Sequence, residues 1–443
     1  MGKHTKQTML FKDFSNKKVE VDFDGGEITS DAGILFLRET ESQTGIIDTV
    51  CKVLNDKRNP SYVKHNIRQL LRQRVFQIAA GYEDGNDCNE LRNDPIYKIS
   101  CDSEQALASQ PTMCRFENSI SRGTLYRIAR ALVDAFIDSY DKAPPAIILD
   151  IDDTADPVYG GQQLSLFNAY HGCHCYMPIH IYEGHSGRLI STILRPGKRP
   201  GGKEIVSILK RIIGHIRKRW PHVAILLRGD GHYSCPEVFD YCAENNFKYV
   251  FGFKSYPTVM RKAGALCDKA RELYRVKNKP QKLYTTFMYR AASWNHPGRI
   301  IVKAEYTAAG ANTRFIVTNL DHSRSRFIYE DVYCARGAME LMIKEHKNYL
   351  ASDRTSCTGF AANQFRVFMH SMAYMLLHAF RMRHLENTSL AKARFDTIRL
   401  KLFKIGARVR YLGTKIKIHL PSGYAFKDEF RQIRHSCCCM SSA

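Results

Sequence analysis

The chain has 443 residues, too many for one compact core and enough for two or three domains. Its composition, 44% hydrophobic and 25% charged, excludes an intrinsically disordered protein. Sixty-six Lys and Arg against 44 Asp and Glu leave +22, the footprint of a protein that neutralises phosphates; a merely basic protein, or one that binds acidic membrane surfaces, is the competing reading. No apolar run of about 18 residues occurs, so no membrane span is expected, and MGKHTKQTMLFKDF lacks the apolar core of a signal peptide. The 14 scattered cysteines read as reduced thiols of a cytoplasmic protein. HGCHC (171–175) and CCC (437–439) are too crowded for structural zinc.

To residue 143 the pattern is mainly helical. EITSDAGILFLRETE offers Thr29 or Ser30 as a helix cap. VKHNIRQLLRQRVFQIAAGYEDG predicts a helix that stops at Gly81, decorated by His65, Arg68, Arg72 and Arg74. SEQALASQP predicts a short helix, and SRGTLYRIARALVDAFIDSYDKAPP a longer one ended by Pro144 and Pro145. Such basic helices fit a helix-turn-helix-like DNA reader or a plain scaffold. From 146 the texture changes. AIILDID, CYMPIHIYEG, GRLISTILRPG, AILLRGD and KYVFGFK read as strands, with helices at KEIVSILKRIIGHIRKRW and PEVFDYCAENN. Residues 255–328 read as antiparallel strands, VFMHSMAYMLLHAFRMRHL as a buried helix, and the end as a basic mixed segment. The basic glycine-rich loop RPGKRPGGK is no ATP-binding P-loop, because Glu204 follows Lys203; it is expected to touch DNA backbone.

Carboxylates punctuate the strand ends. Asp150 and Asp152 share one face of LDIDDT, and Asp230 ends AILLRGD. Two such ends with a carboxylate from a later helix can hold two divalent ions for phosphodiester chemistry. Singly, each fits a turn or cap equally well. In DVYCARGAMELMIKEHK (331–347), Tyr333, Arg336, Glu340 and Lys347 fall within roughly 80° of a helix surface. Taken alone that stripe is a solvated charged face.

The pattern Tyr-x2-Arg-x3-Glu-x6-Lys resembles the signature of bacterial insertion-sequence transposases of the DDE type. LDIDDT resembles their first Asp motif and RGDGHY the second. IKEHKNYLASDRTSC with AANQF resembles the segment around and after the Glu. RVFQIAAGYEDGNDCNELRNDP is similar to a block of the insertion-sequence family numbered thirteen-eighty, and the resemblance runs from about residue 20 to 425. It implies an α/β fold: a ribonuclease H-like mixed sheet with flanking helices, interrupted by a β-rich insertion and preceded by a mainly helical region. The implied division is 1–143 for DNA binding, 144–254 and 329–388 for the catalytic core, 255–328 for the insertion, and 389–443 for a basic tail.

Matched residue by residue, Asp152 is the first carboxylate, with Thr154 completing Asp-x-Thr and Asp150 as the fallback; Asp153 faces away. Asp230 is the second and Glu340 the third. The resemblance implies two Mg²⁺ ions, replaceable by Mn²⁺, and DNA phosphates held by Tyr333, Arg336 and Lys347. Lys344, outside the signature, lies on the same arc. Trp294 either stacks on a flipped base or packs in a core; Trp220 reads as packing, and Gly160, Gly161 and Gln162 as a structural turn. The implied activity is cleavage at terminal inverted repeats of double-stranded DNA and joining of the 3′-OH ends to target DNA by a homodimer. A nuclease without strand transfer and a catalytically dead DNA-binding derivative are the alternatives.

Overall fold

The computed structural model describes residues 9–321 and 323–439. Residues 1–8 of the N-terminal stretch and the side chains of the last two cysteines of the CCC run lie outside that description. The chain divides into two compact units: residues 1–43, 57–116 and 379–443, and residues 44–56 and 117–378. Among the described residues no helix is long and apolar enough to cross a membrane.

The first unit combines both ends of the chain, so the N-terminal helices and the basic tail are one fold where the sequence predicted two regions. The strand Ile28–Thr29 pairs with Ala407–Leu412, which pairs in turn with Lys415–His419. The Phe36 ring packs on Phe380 and Phe430, with centroids 5.6 and 4.5 Å away. Buried Asp31 receives the Lys404 ammonium at 2.7 Å and the Tyr82 hydroxyl at 2.8 Å. Three distant segments therefore meet on one carboxylate.

The helix Ile67–Ala80 ends at left-handed Gly81, as the sequence predicted, and starts at an Asn66–Gln69 capping box. Its arginines differ from expectation. Arg68 is exposed, but Arg74 is buried and donates to the carbonyls of Tyr82, Glu83 and Asp84. Arg72 is buried against Asp102. These two hold the fold together. SEQALASQP is not helical: the Gln73 amide clasps both backbone groups of Ala108, and Pro111 instead lies in the first turn of the helix Gln110–Asn118.

A Cβ at Gly33 would lie 1.7 Å from the Leu402 carbonyl oxygen, so backbone passes against backbone there. Gly33→Ala must push that strand of contact apart and is expected to destabilise this unit by about 1–3 kcal/mol. A lower urea midpoint at an unchanged slope would show it.

The second unit is built on an eight-stranded mixed sheet. Its strands are β1 (Ala146–Asp153), β2 (Ile179–Glu183), β3 (Leu189–Ile193), β4 (Ala224–Gly229), β5 (Lys248–Phe253), β6 (Gln281–Tyr289), β7 (Gly298–Thr307) and β8 (Gly310–Thr318). Their order is β6-β7-β8-β5-β4-β1-β2-β3; β1, β4 and β5 run parallel and the remaining pairs antiparallel. Side chains alternate across it. Leu149, Ile151, Ile300, Val302, Phe315 and Val317 face one large core. Helices α1 (Arg122–Asp138), α2 (Gly202–Arg219), α3 (Pro236–Glu244) and α4 (Pro257–Lys277) pack on that side. Ile301 and Ile316 face the other side, where Ile328 and Tyr329 cover them.

Two predicted features change here. Residues 257–277 form the long helix α4, which the strand-only reading of 255–328 overlooked. The strands that follow are no separate domain, because β8 pairs with β5 and continues the main sheet. Trp294 also settles between its two readings. It is 6% exposed and packs edge-on to Phe239, Phe253 and Tyr289, so it belongs to the core and offers no face to a base.

Candidate active site

The face of the sheet opposite the large core carries charge. On β1, Asp150 and Asp152 point to it in alternation with Leu149 and Ile151. Asp150 is fully buried, and the cross-strand partner Arg228 on β4 grips both its oxygens at 2.5 and 2.6 Å. Arg228 also donates to the Val332 carbonyl at 2.6 Å, which fastens the segment bearing Tyr333 and Arg336 to the sheet. Gly184, between β2 and β3, has to be glycine: a Cβ would fall 2.5 Å from Asp150 and 2.6 Å from Arg228. This pair is structural.

Asp152, one repeat further along, is open at the strand end, its side chain 19% exposed. The register that pairs Gly229 with Ile151 puts Asp230 level with it at the end of the neighbouring parallel strand. Asp230 accepts the His232 amide at 2.8 Å, and Arg199 stands 4.0 Å away. Burial pushes the Asp152 carboxyl up to about 7 against the opposing pull of Arg336, and the Asp230 charge adds to the rise. Beneath them Tyr233, wholly buried, reaches Asp153 at 3.2 Å.

Helical backbone runs from Ser325 to Tyr349, but its winding changes: wide turns at Ile328–Tyr333 and Glu345–Tyr349 flank the α-helix α5 (Gly337–Lys344). The uniform 100° step assumed from sequence does not hold across such turns. Arg336 binds Asp152 at 2.6 Å. Lys347 reaches Asp156 at 3.2 Å, Thr154 at 3.5 Å and the Ala155 carbonyl. Both signature cations thus brace the chain around the first carboxylate. Tyr333 is half-buried beside Tyr329, whereas Glu340 and Lys344 are exposed on α5. Glu345 and His346, by contrast, are buried.

The site therefore joins Asp152, Asp230, Arg336 and Lys347, while Glu340 stands apart in solvent. Among the described residues no three His, Cys, Asp or Glu side chains converge to hold a metal. The Asp152–Asp230 pair offers a hard divalent cation oxygen donors, and burial, with a smaller share from the Asp230 charge, raises the affinity of Asp152 for a proton that a cation would displace. Sequence reasoning overlooked Arg228 and Asp156. A lone Arg inside the apolar run AILLRGD was the available signal for the first, since a buried charge needs a partner on the adjacent strand. Asp156, 2% exposed and pushed up to about 7 by burial, had none.

The cryo-EM structure of a piggyBac transposase synaptic complex with hairpin DNA is similar over 85% of this chain and 80% of that one, at 12% identity and a TM-score of 0.40. No curated protein matches the chain. The family described as "Transposase DDE domain group 1" matches residues 11–437, a span that takes in both units and every carboxylate of the site, and the chain belongs to that family of DDE transposases.

Proposed function

We propose that this protein is the transposase of a bacterial insertion-sequence element, of the branch numbered thirteen-eighty. It binds the inverted repeats of its element, cleaves double-stranded DNA at their ends and joins the 3′-OH ends to target DNA, acting as a homodimer in the cytoplasm. The observation that carries this is the level placement of Asp152 and Asp230 on adjacent parallel strands, with the helical segment that bears Arg336 bound across the first. The order β3-β2-β1-β4-β5 supports a ribonuclease H-like core, extended at β5 by three antiparallel strands.

In this reading Asp152 and Asp230, with Glu340 as the third carboxylate from α5, would hold two Mg²⁺ (or Mn²⁺) ions, which would supply activation of the attacking hydroxyl and charge neutralisation at the leaving oxygen. Arg336 keeps the Asp152 carboxylate oriented, and Lys347 pins the loop that follows it. Tyr333 and Lys344 present a hydroxyl and a charge to phosphates along the same segment.

The test is a cleavage assay on labelled duplex carrying the element's own end. With Mg²⁺ the wild type is expected to nick at the boundary. Glu340→Ala should bind equally and not cut, and chelation by EDTA should abolish nicking but not binding. Equal binding with no cutting by the wild type in any divalent metal would leave only a DNA-binding protein. Nicking without joining would favour a nuclease that lacks strand transfer.

A further inference from the structure

Just beyond β1 the chain forms a small sheet of Asp156–Pro157, Leu166–Asn168 and Cys173–Tyr176. It leaves large rings in water: Tyr159 is 96% exposed, Tyr170 88% and Phe167 59%. Three such exposed aromatics fall within a dozen residues, on one small sheet and its turns, a density above the scattered singles of an ordinary exterior. The basic loop 195–203 lies against this sheet. Asn168 donates to the Gly197 carbonyl at 3.0 Å, and a Cβ at Gly197 would meet the Leu166 oxygen at 2.5 Å.

Both carboxylate strand ends hold this assembly. Asp156 binds Lys347 at 3.2 Å, four residues past Asp152. The Pro200 carbonyl hydrogen-bonds the His232 ring at 2.7 Å, two residues past Asp230. The amides nearby are already engaged. Gln162 accepts the Gly160 amide, Gln163 accepts the Phe360 amide, and Asn168 accepts the Tyr170 amide. Facing outward are the rings, the exposed side chains of Gln163, His171 and His174, and the exposed cations Lys198 and Arg199. Stacking and phosphate contacts tolerate any sequence, whereas an inverted repeat is read through hydrogen bonds to base edges.

We propose that Tyr159, Phe167 and Tyr170, with Lys198 and Arg199, form a platform that captures target DNA. Locally unstacked bases lie on the rings while the cations hold the phosphates. The proposal rests on the transposase reading for the word target, but not for the binding mode.

Fluorescence anisotropy on the full chain tests the binding mode without any catalysis. The probes are short duplexes unrelated to the element, fully matched or with a central mismatched step. The wild type is expected to prefer the mismatched duplex by roughly tenfold, the scale of one base–aromatic stack. Phe167→Ser with Tyr170→Ser should remove that preference and leave matched-duplex affinity within about twofold. Lys198→Glu with Arg199→Glu should weaken both duplexes and flatten the salt dependence. With pre-cut ends, the double Ser variant should lose joining to target while nicking at the element end is unchanged. A preference that survives in the double Ser variant overturns the platform. Nicking that falls in step with joining overturns its assignment to target. A wild type that prefers the mismatch yet never cuts or joins would sink the transposase reading and spare the platform.

Discussion

Arg228→Met is expected to cost about 3–5 kcal/mol of stability. Arg228 and Asp150 are 1% and 0% exposed, so the substitution strands a carboxylate without its guanidinium in a place water cannot reach. Burial already pushes Asp150 up even with Arg228 present, and without it the group must take up a proton or open the sheet. The loss should show as a melting transition lower by roughly 6–20 °C for a unit of this size. The partner change supplies the control. Asp150→Leu combined with Arg228→Met removes both charges and should recover much of the stability, because an apolar pair replaces an ionic one at little net cost. If the double variant is no more stable than the single one, the pair matters instead through the Val332 carbonyl that Arg228 holds.

Asp152→Asn is expected to lower cleavage by roughly 10²–10³ or more while leaving DNA binding intact. It keeps the shape of the residue and an acceptor for Arg336 but removes the charge that a cation needs. The wild type should show a matching pH dependence. With the Asp152 carboxyl at about 7, cleavage rises as pH climbs through 7 and the proton leaves. More Mg²⁺ should move that midpoint to lower pH, since cation and proton compete for the same oxygens. The sign for stability is opposite. A folded-state value above the ordinary 3.8 means the contribution of this group is greatest below about pH 4 and is lost as pH rises toward 7. A cleavage profile flat from pH 6 to 8 would refute the assignment of Asp152 to the chemistry.

Elements whose reasons are local were legible in the sequence. The helix Ile67–Ala80 carries its own cap and stop, α1 begins at its Ser121 cap, and β1, β4 and β5 announce themselves as short apolar runs. The aspartates at strand ends and the spaced residues of 331–347 carried the resemblance to DDE transposases, the family to which the chain belongs. Tertiary structure decided what each charge does. Asp150 and Asp152 are indistinguishable by alternation, and only the cross-strand Arg228 makes one a buried structural group and leaves the other open. Arg72 and Arg74 look like surface decoration until the segments carrying Asp102 and the 82–84 carbonyls fold over them. Trp294 is core because β6, β7 and β5 bring Tyr289, Gly298 and Phe253 around it. The pairing of residues 28–29 with 407–408, and of β8 with β5, joins segments whose local patterns contain no trace of their partners. Local pattern specifies an element and the face it buries; which distant element covers that face depends on register and topology, and there the function of each charged side chain is decided.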